Sequence, residues 1–539
     1  MIAGWRGGQI AAVAVGLVIG VLSIRSRPSV IGVILAIIGL GSGMALAFWP
    51  IQGRTGEQWL PLAARWLWTA FTGSRRQLAP GPRAGHRATV DRGHDNAGPA
   101  EIRAESVGWG GGRGPGRGSG RAAGRRATVF EGLTVVGVPF GAGSERAAGE
   151  LGMTIDARAR TATAVLVVRG HSFALLGTGD QDGRIAAWAR VLSSLAREGS
   201  DVHRLQWIEA CLPDDGSAVR RHVSDHAVVD ADSAAARSYQ TLVDEAAPVT
   251  RRHQVLMALS IRTARPLRAA RSSGGGVDAI GAVLSREVHS LHQALEGADI
   301  VVDGALGPGA LSRVIGEASA ALADSALADN ALAETGLADP CPQSDVPTRS
   351  GAGHALPGSD RLPDDDRPSQ WPWPMAVEPS WDAVHTDGTW HATYWIAEWP
   401  RVDVTPDFLA PLLFSPLRRS LSLVMEPMSP SRAARQVAQA RTADLADGEL
   451  RRRGGFLVTA RQTREKAGVE ERDVELADGH AQFRFSGYVT VTTDTRAELS
   501  AARGAVEQAA GQAGIELRLL YGAQDVAFAC SLPLGRGLS

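Results

Sequence analysis

His480-Ala-Gln-Phe-Arg-Phe-Ser-Gly-Tyr-Val-Thr-Val-Thr-Thr493 is the clearest strand in the chain. Aromatic and β-branched residues fill it, and such side chains pack well on a pleated, half-buried surface. After it, Thr495 to Ala513 reads as a helix and Ile515–Leu520 as a further strand. Before it, Trp390–Trp399 is an aromatic-rich strand and Leu421–Val424 another. Pro430 to about Glu475 is largely helical, with an interruption around Arg452-Arg-Gly-Gly455. These elements predict an α+β sheet-and-helix domain over residues 371–539.

A second body region precedes it, at 129–304. Thr161-Ala-Thr-Ala-Val-Leu-Val-Val-Arg169 is a strand, and Ser172–Leu176 reads as another after a turn at Gly170-His171. A helix from Asp180 places Ile185, Trp188, Leu192 and Leu195 on one stripe. A strand at Val202–Ile208, a helix at Ser217–Ala246, a strand at His253–Ile261 and a helix at Val277–Leu295 follow. Between the two regions, residues 305–370 read as a disordered insert. Leu322, Leu327, Leu332 and Leu337 recur every five residues, a period that suits neither helix nor strand. Pro, Asp and Ser then dominate.

The front of the chain differs in kind. Ile10-Ala-Ala-Val-Ala-Val-Gly-Leu-Val-Ile-Gly-Val-Leu22 and Val30 to Trp49 are long apolar runs. Each approaches the roughly 20 residues that cross a bilayer. The expectation is a transmembrane α-hairpin over 1–52. A cleaved signal peptide is the rival for the first run, but Ser23-Ile-Arg-Ser-Arg-Pro28 offers a poor cleavage site. Arg25 and Arg27 stand in the connecting loop; Arg6 precedes the hairpin, and Arg54, Arg65, Arg75, Arg76, Arg83 and Arg87 follow it. The positive-inside rule then puts both termini in the cytoplasm of a multi-pass cell-membrane protein. Gly16 with Gly20, and Gly39 with Gly43, form two GxxxG pairs that let helix backbones approach. Trp59, Trp66 and Trp68 predict an interfacial helix over 53–72, anchored among lipid headgroups. The alternative is a linker helix packed on the body.

Residues 73–128 are a Gly/Arg-rich linker. Residues 51–130 carry 13 Arg against 5 acidic residues. The whole chain is at −1, so the body is mildly acidic, unlike a protein that grips DNA along its length. No sequence-specific nucleic-acid binding is expected. Cys211, Cys341 and Cys530 are scattered and make no disulfide framework.

Catalytic signatures are missing. A P-loop needs Gly-x4-Gly-Lys-Ser/Thr, and the sole lysine, Lys466, is followed by Ala467. The stretch Gly108–Arg121 is Gly-rich but holds no lysine. There is no Gly-x-Ser-x-Gly elbow and no His-Glu-x-x-His. His222 and His226, with Asp225 beside them, share a helical face, but no third metal ligand is evident. His385 and His391 flank a Gly turn with no better case. The tryptophans of 371–399 could offer a carbohydrate or peptide platform, though sheet core or subunit contact is the simpler reading. The expectation is no enzyme, no cofactor and no metal.

Gly53-Arg-Thr-Gly-Glu-Gln-Trp-Leu-Pro61, directly after the hairpin, resembles the PrgI-like membrane proteins of conjugative type IV secretion systems. In the body, Arg169-Gly-His-Ser-Phe-Ala-Leu-Leu176, Arg204-Leu-Gln-Trp207, Ser486-Gly-Tyr-Val-Thr-Val491 and Leu532-Pro-Leu-Gly-Arg-Gly-Leu538 resemble the large actinobacterial branch of that group. The resemblance implies a body like the non-motor half of the conjugation ATPase. It further implies a structural inner-membrane component that anchors or recruits the secretion ATPase. Membrane lipid, other secretion-system subunits and copies of the same chain are the implied partners. A type VII secretion subunit and a membrane-tethered enzyme are the alternatives. The fold expected is a membrane α-hairpin plus an α+β cytoplasmic body, its two sheet-and-helix domains joined by disordered linkers.

Overall fold

The computed structural model describes residues 7–26, 30–48, 129–140, 149–170, 176–214, 233–246, 251–269, 276–319, 373–402, 404–454 and 460–537. Short pieces between 50 and 78 and isolated positions elsewhere complete it. Helices α1 (Gly7–Ser26) and α2 (Val30–Phe48) pair side by side, and β1 (Pro50–Ile51) and β2 (Arg54–Thr55) form a small separate ladder.

Everything else converges on one antiparallel sheet. Its strands are β3 (Gln77–Leu78), β4 (Leu133–Phe140), β5 (Gly149–Asp156), β6 (Thr161–Arg169), β7 (Val202–Pro213), β8 (Arg251–Arg262) and β9 (Val301–Ala305). To these are added β10 (Ala376–Pro379), β11 (Val384–Thr386), β12 (Thr389–Glu398), β13 (Arg419–Pro427), β14 (Phe483–Thr493) and β15 (Glu516–Leu519). The order is β3-β10-β11-β12-β14-β13-β7-β8-β6-β5-β4, with β15 also on β12 and β9 also on β6.

This overturns the expectation of two sheet-and-helix domains. The two regions are fused where β7 pairs with β13, with Trp207 opposite Leu423 and Glu209 opposite Leu421. That ladder joins residues some two hundred positions apart, so no local pattern announces it. The chain between them is also less of an insert than expected. α7 (Pro308–Glu317), begun by a proline at its first turn, buries Leu311, Val314 and Ile315. Residues 321–370 lie outside those described. Gln77–Leu78, expected within the linker, supplies the edge strand on β10.

The membrane expectation is corrected too. Among the described residues, no helix is long and apolar enough to cross a membrane. The transmembrane hairpin and the multi-pass cell-membrane location with cytoplasmic termini are withdrawn with it.

Strands alternate their side chains, so the sheet has two distinct faces. On one face lie Leu205, Trp207, Leu259, Met425 and Leu421, covered by α3 (Thr178–Leu195), α6 (Gly276–Glu296) and α11 (Arg496–Gln512). On the other lie Ile208, Leu256, Val165 and Val424, covered by α7, α12 (Gln524–Ala529) and the segment that follows it to residue 537. The interior strand β6 is buried along nearly its whole length because both faces are covered. The expected strand at Ser172–Leu176 is instead a turn at its described positions: the Leu176 N–H donates to Phe173 O, and Gln181 of α3 donates to both carbonyls.

Candidate functional site

The second face is unusually polar for a core. Thr163, Gln206, Ser260, His391, Thr393, Ser422, Thr490 and Gln524 are all buried there. Their purpose is legible in the backbone above them. The segment 524–537 crosses the sheet without regular structure after α12, so its N–H and C=O groups find no ladder. The sheet's side chains supply the partners. Gln206 Nε2 donates to Cys530 O and Leu532 O at 2.9 Å each, and Gln206 Oε1 accepts from the Gly535 N–H at 2.8 Å. Ser422 Oγ donates to Cys530 O, and Thr163 Oγ1 to Leu534 O. At one end Gln524 accepts from the Thr393 N–H; at the other, Arg536 donates twice to Asp156 Oδ2 and once to Val129 O. The segment is a strap from β12 to β5.

Beside the strap, between β13, β14 and α7, is a small cavity of about 50 Å³. Arg418, Glu317, Gln254, Ser420, Thr490 and Thr492 help to line it. Arg418 Nη2 donates to Glu317 O at 2.9 Å, and Arg252 pairs with the Glu317 carboxylate at 3.3 Å. Burial pulls the Arg418 guanidinium below its ordinary value, with Asp494 and Glu317 opposing. Thr492 leads from the cavity to His391, whose Nδ1 lies 2.9 Å from the Thr492 hydroxyl. The other ring nitrogen meets Thr386 and Thr389 at 2.7 and 2.9 Å, and both hydroxyls reach Ser319 O. Burial first, then Arg418 and His385, hold His391 well below the usual imidazole range. The site can order water around fixed charge. A cavity of about 50 Å³ has room for a few waters, at about 10–15 Å³ each. Pockets for drug-sized ligands run to about 300–1,000 Å³.

On the opposite face sits a second buried charge. Arg419 is wholly enclosed and donates to Glu209 and to Leu413 O. The Glu209 carboxylate also meets His253 Nδ1 at 2.7 Å. Cys211, paired across from Arg419, has its thiol pushed up by burial, the reverse of an activated nucleophile.

The residues singled out from sequence fall as follows. Gly16, Gly20, Gly39 and Gly43 all lie in the α1–α2 contact. A Cβ on Gly16 would come within 2.9 Å of Gly39 O and 3.1 Å of Gly43 Cα. Trp59 and Trp66 pack on the body: Trp59 lies 5.7 Å from Trp381 and 5.6 Å from Tyr521, and Trp66 lies 5.3 Å from Trp381. These are the contacts the structure shows for the two expected interfacial anchors; Trp68 lies outside the described residues. His222, Asp225, His226, Cys341 and Gly108–Arg121 also lie outside them. Among the described residues, no group of three or more His, Cys, Asp or Glu could hold a metal. Trp390 stacks on His385 at 4.6 Å and carries the Arg496 guanidinium at 5.0 Å from its ring centre. Sequence reasoning missed Gln206, Arg418, Glu317 and the strap. The one signal was an excess of Ser, Thr and Gln at positions where a strand pattern wants apolar residues.

No family model matches the chain, and no curated protein sequence matches it.

Proposed function

We propose that the protein is a structural, non-catalytic component of a type IV secretion or conjugation apparatus, where it recruits the secretion ATPase. The observation that carries this reading is where the resembling strings fall. Arg204-Leu-Gln-Trp207 contains Gln206, and Leu532–Leu538 contains the strap residues that Gln206 holds. Ser486–Val491 lies in β14, one strand beyond β13, and its Tyr488 packs beside Cys530 of the strap. Three of the five resembling strings therefore fall on bracing residues of a scaffold. The sequence has no Walker A motif, so nucleotide-driven work falls to the partner.

Tagged full-length protein from cells that express the apparatus is expected to co-purify with the secretion ATPase and to hydrolyse no ATP alone. Hydrolysis by the purified chain, or recovery without that ATPase, overturns the proposal.

A further inference from the structure

α9 (Pro430–Gly454) and α10 (Ala460–Ala477) form an antiparallel arm inserted between β13 and β14. At its root the strand ends carry an unusual arrangement of charge. Glu426, the penultimate residue of β13, receives Arg484 at 2.8 Å, Arg204 at 3.7 Å and Arg262 at 3.8 Å. Next to it, Asp201 receives Arg265 at 3.4 Å and Arg286 at 3.8 Å. Arg286 reaches on to Glu287 at 3.1 Å, and Arg197 reaches the same carboxylate at 3.6 Å. The groups are contiguous, because the Arg262 N–H donates to Asp201 O.

The two signs of charge are not mixed on the surface. The carboxylates are submerged, with Glu426, Asp201 and Glu287 only 14%, 16% and 7% exposed. The guanidiniums stand over them: Arg484, Arg197, Arg262, Arg286 and Arg265 are 53–69% exposed. Each carboxylate fixes the arginines at one edge and leaves their remaining N–H groups facing outward. His203 adds no charge at neutral pH. Burial, followed by Arg204 and Arg262, holds it down at about 4.

We infer that this arginine-faced corner docks an acidic segment of a protein partner. Orientated guanidinium forks suit carboxylates, and a positive island on a mildly acidic body selects a short anionic stretch. A nucleic acid fits less well. Its charge continues along the strand, and the adjoining turns of α10 expose Glu470, Glu471 and Glu475. Glu198 is also exposed there and accepts from Ser431 at the start of α9, which closes the patch on that side. The inference goes beyond the recruiting role proposed above and does not need the ATPase to be the partner.

The test is fluorescence anisotropy of a labelled poly-glutamate peptide with the full chain, at low and high salt. A poly-glutamine peptide and a single-stranded oligonucleotide serve as comparators. The acidic peptide is expected to bind, to weaken as salt rises, and to lose at least about tenfold in affinity with Arg265→Gln/Arg286→Gln. Arg484→Gln tests the other half of the patch should the double variant melt early. The inference is overturned if the peptide does not bind, if variants that melt like the wild type bind it equally, or if the oligonucleotide binds more tightly than the peptide.

Discussion

The Gly535 N–H donates to Gln206 Oε1 across a separation of 329 residues, at 2.8 Å and out of contact with water. The same amide side chain holds two carbonyls of the strap, so one residue in the middle of β7 satisfies three buried backbone groups. Gln206→Leu strips the Gly535 N–H of its acceptor and leaves Cys530 O and Leu532 O with one donor each, from Ser422 Oγ and the Leu534 N–H, and is expected to cost about 1–3 kcal/mol. Gly535 is bound to its place in another way: its φ is +63°, and a Cβ there would meet Ser260 Cβ at 2.7 Å. Gly535→Ala is expected to destabilise by about 2 kcal/mol. Urea unfolding midpoints read both changes.

His391 gives the fold a dependence on acid. Its folded pKa lies well below 6.5, so below that pH the unfolded chain takes up a proton that the native ring refuses. The stabilisation is complete above the unfolded value and declines as pH falls from there towards the folded value. His203, held at about 4, acts with the same sign. The urea midpoint is expected to drop between pH 7.5 and pH 5, and His391→Gln is expected to flatten part of that slope. A midpoint unchanged over this range would contradict the assignment.

Glu209 and Arg419 test a buried charge. Glu209→Gln strands the enclosed guanidinium and is expected to cost about 3–5 kcal/mol. Replacing both partners, Glu209→Leu with Arg419→Met, is expected to recover much of that loss. A double-mutant cycle on the melting temperature separates the pair from its parts.

Trp381 joins the segment after β2 to the sheet through Trp59 and Trp66. Each such aromatic pair contributes about 0.5–1.5 kcal/mol beyond its burial. Trp381→Ala is expected to release this segment and to speed proteolytic cleavage near Trp59, with the melting of the sheet little changed. Protection equal to the wild type would count against the docking.

Local elements were readable where a pattern closes within a dozen residues. β6 at Thr161–Arg169 and β14 at Phe483–Thr493 follow from their β-branched and aromatic runs, and α11 from a Thr495 cap that accepts the Glu498 N–H. The fusion of two regions into one sheet was not readable. Leu421 opposite Glu209 is a register, and register across two hundred residues leaves no periodic mark. The apolar runs at the front of the chain predict a hairpin from their length and lack of charge, and the structure does pair the two helices, with Gly16 seated against Gly39 and Gly43. What fails is the crossing: among the described residues no helix is long and apolar enough for one. Of the cavity, Arg418 and Glu317 were invisible because an isolated charge in a sequence does not say whether it will be enclosed.

The strap also sets a schedule for biosynthesis. A ribosome that has completed β15 at residue 519 has made every strand described above, yet Gln206, Ser422 and Thr163 still face an open groove. The body matures only when residues 524–537 emerge and lie down across it. Chains interrupted before residue 524 should therefore be removed by quality-control proteases although all the strands described are present in them.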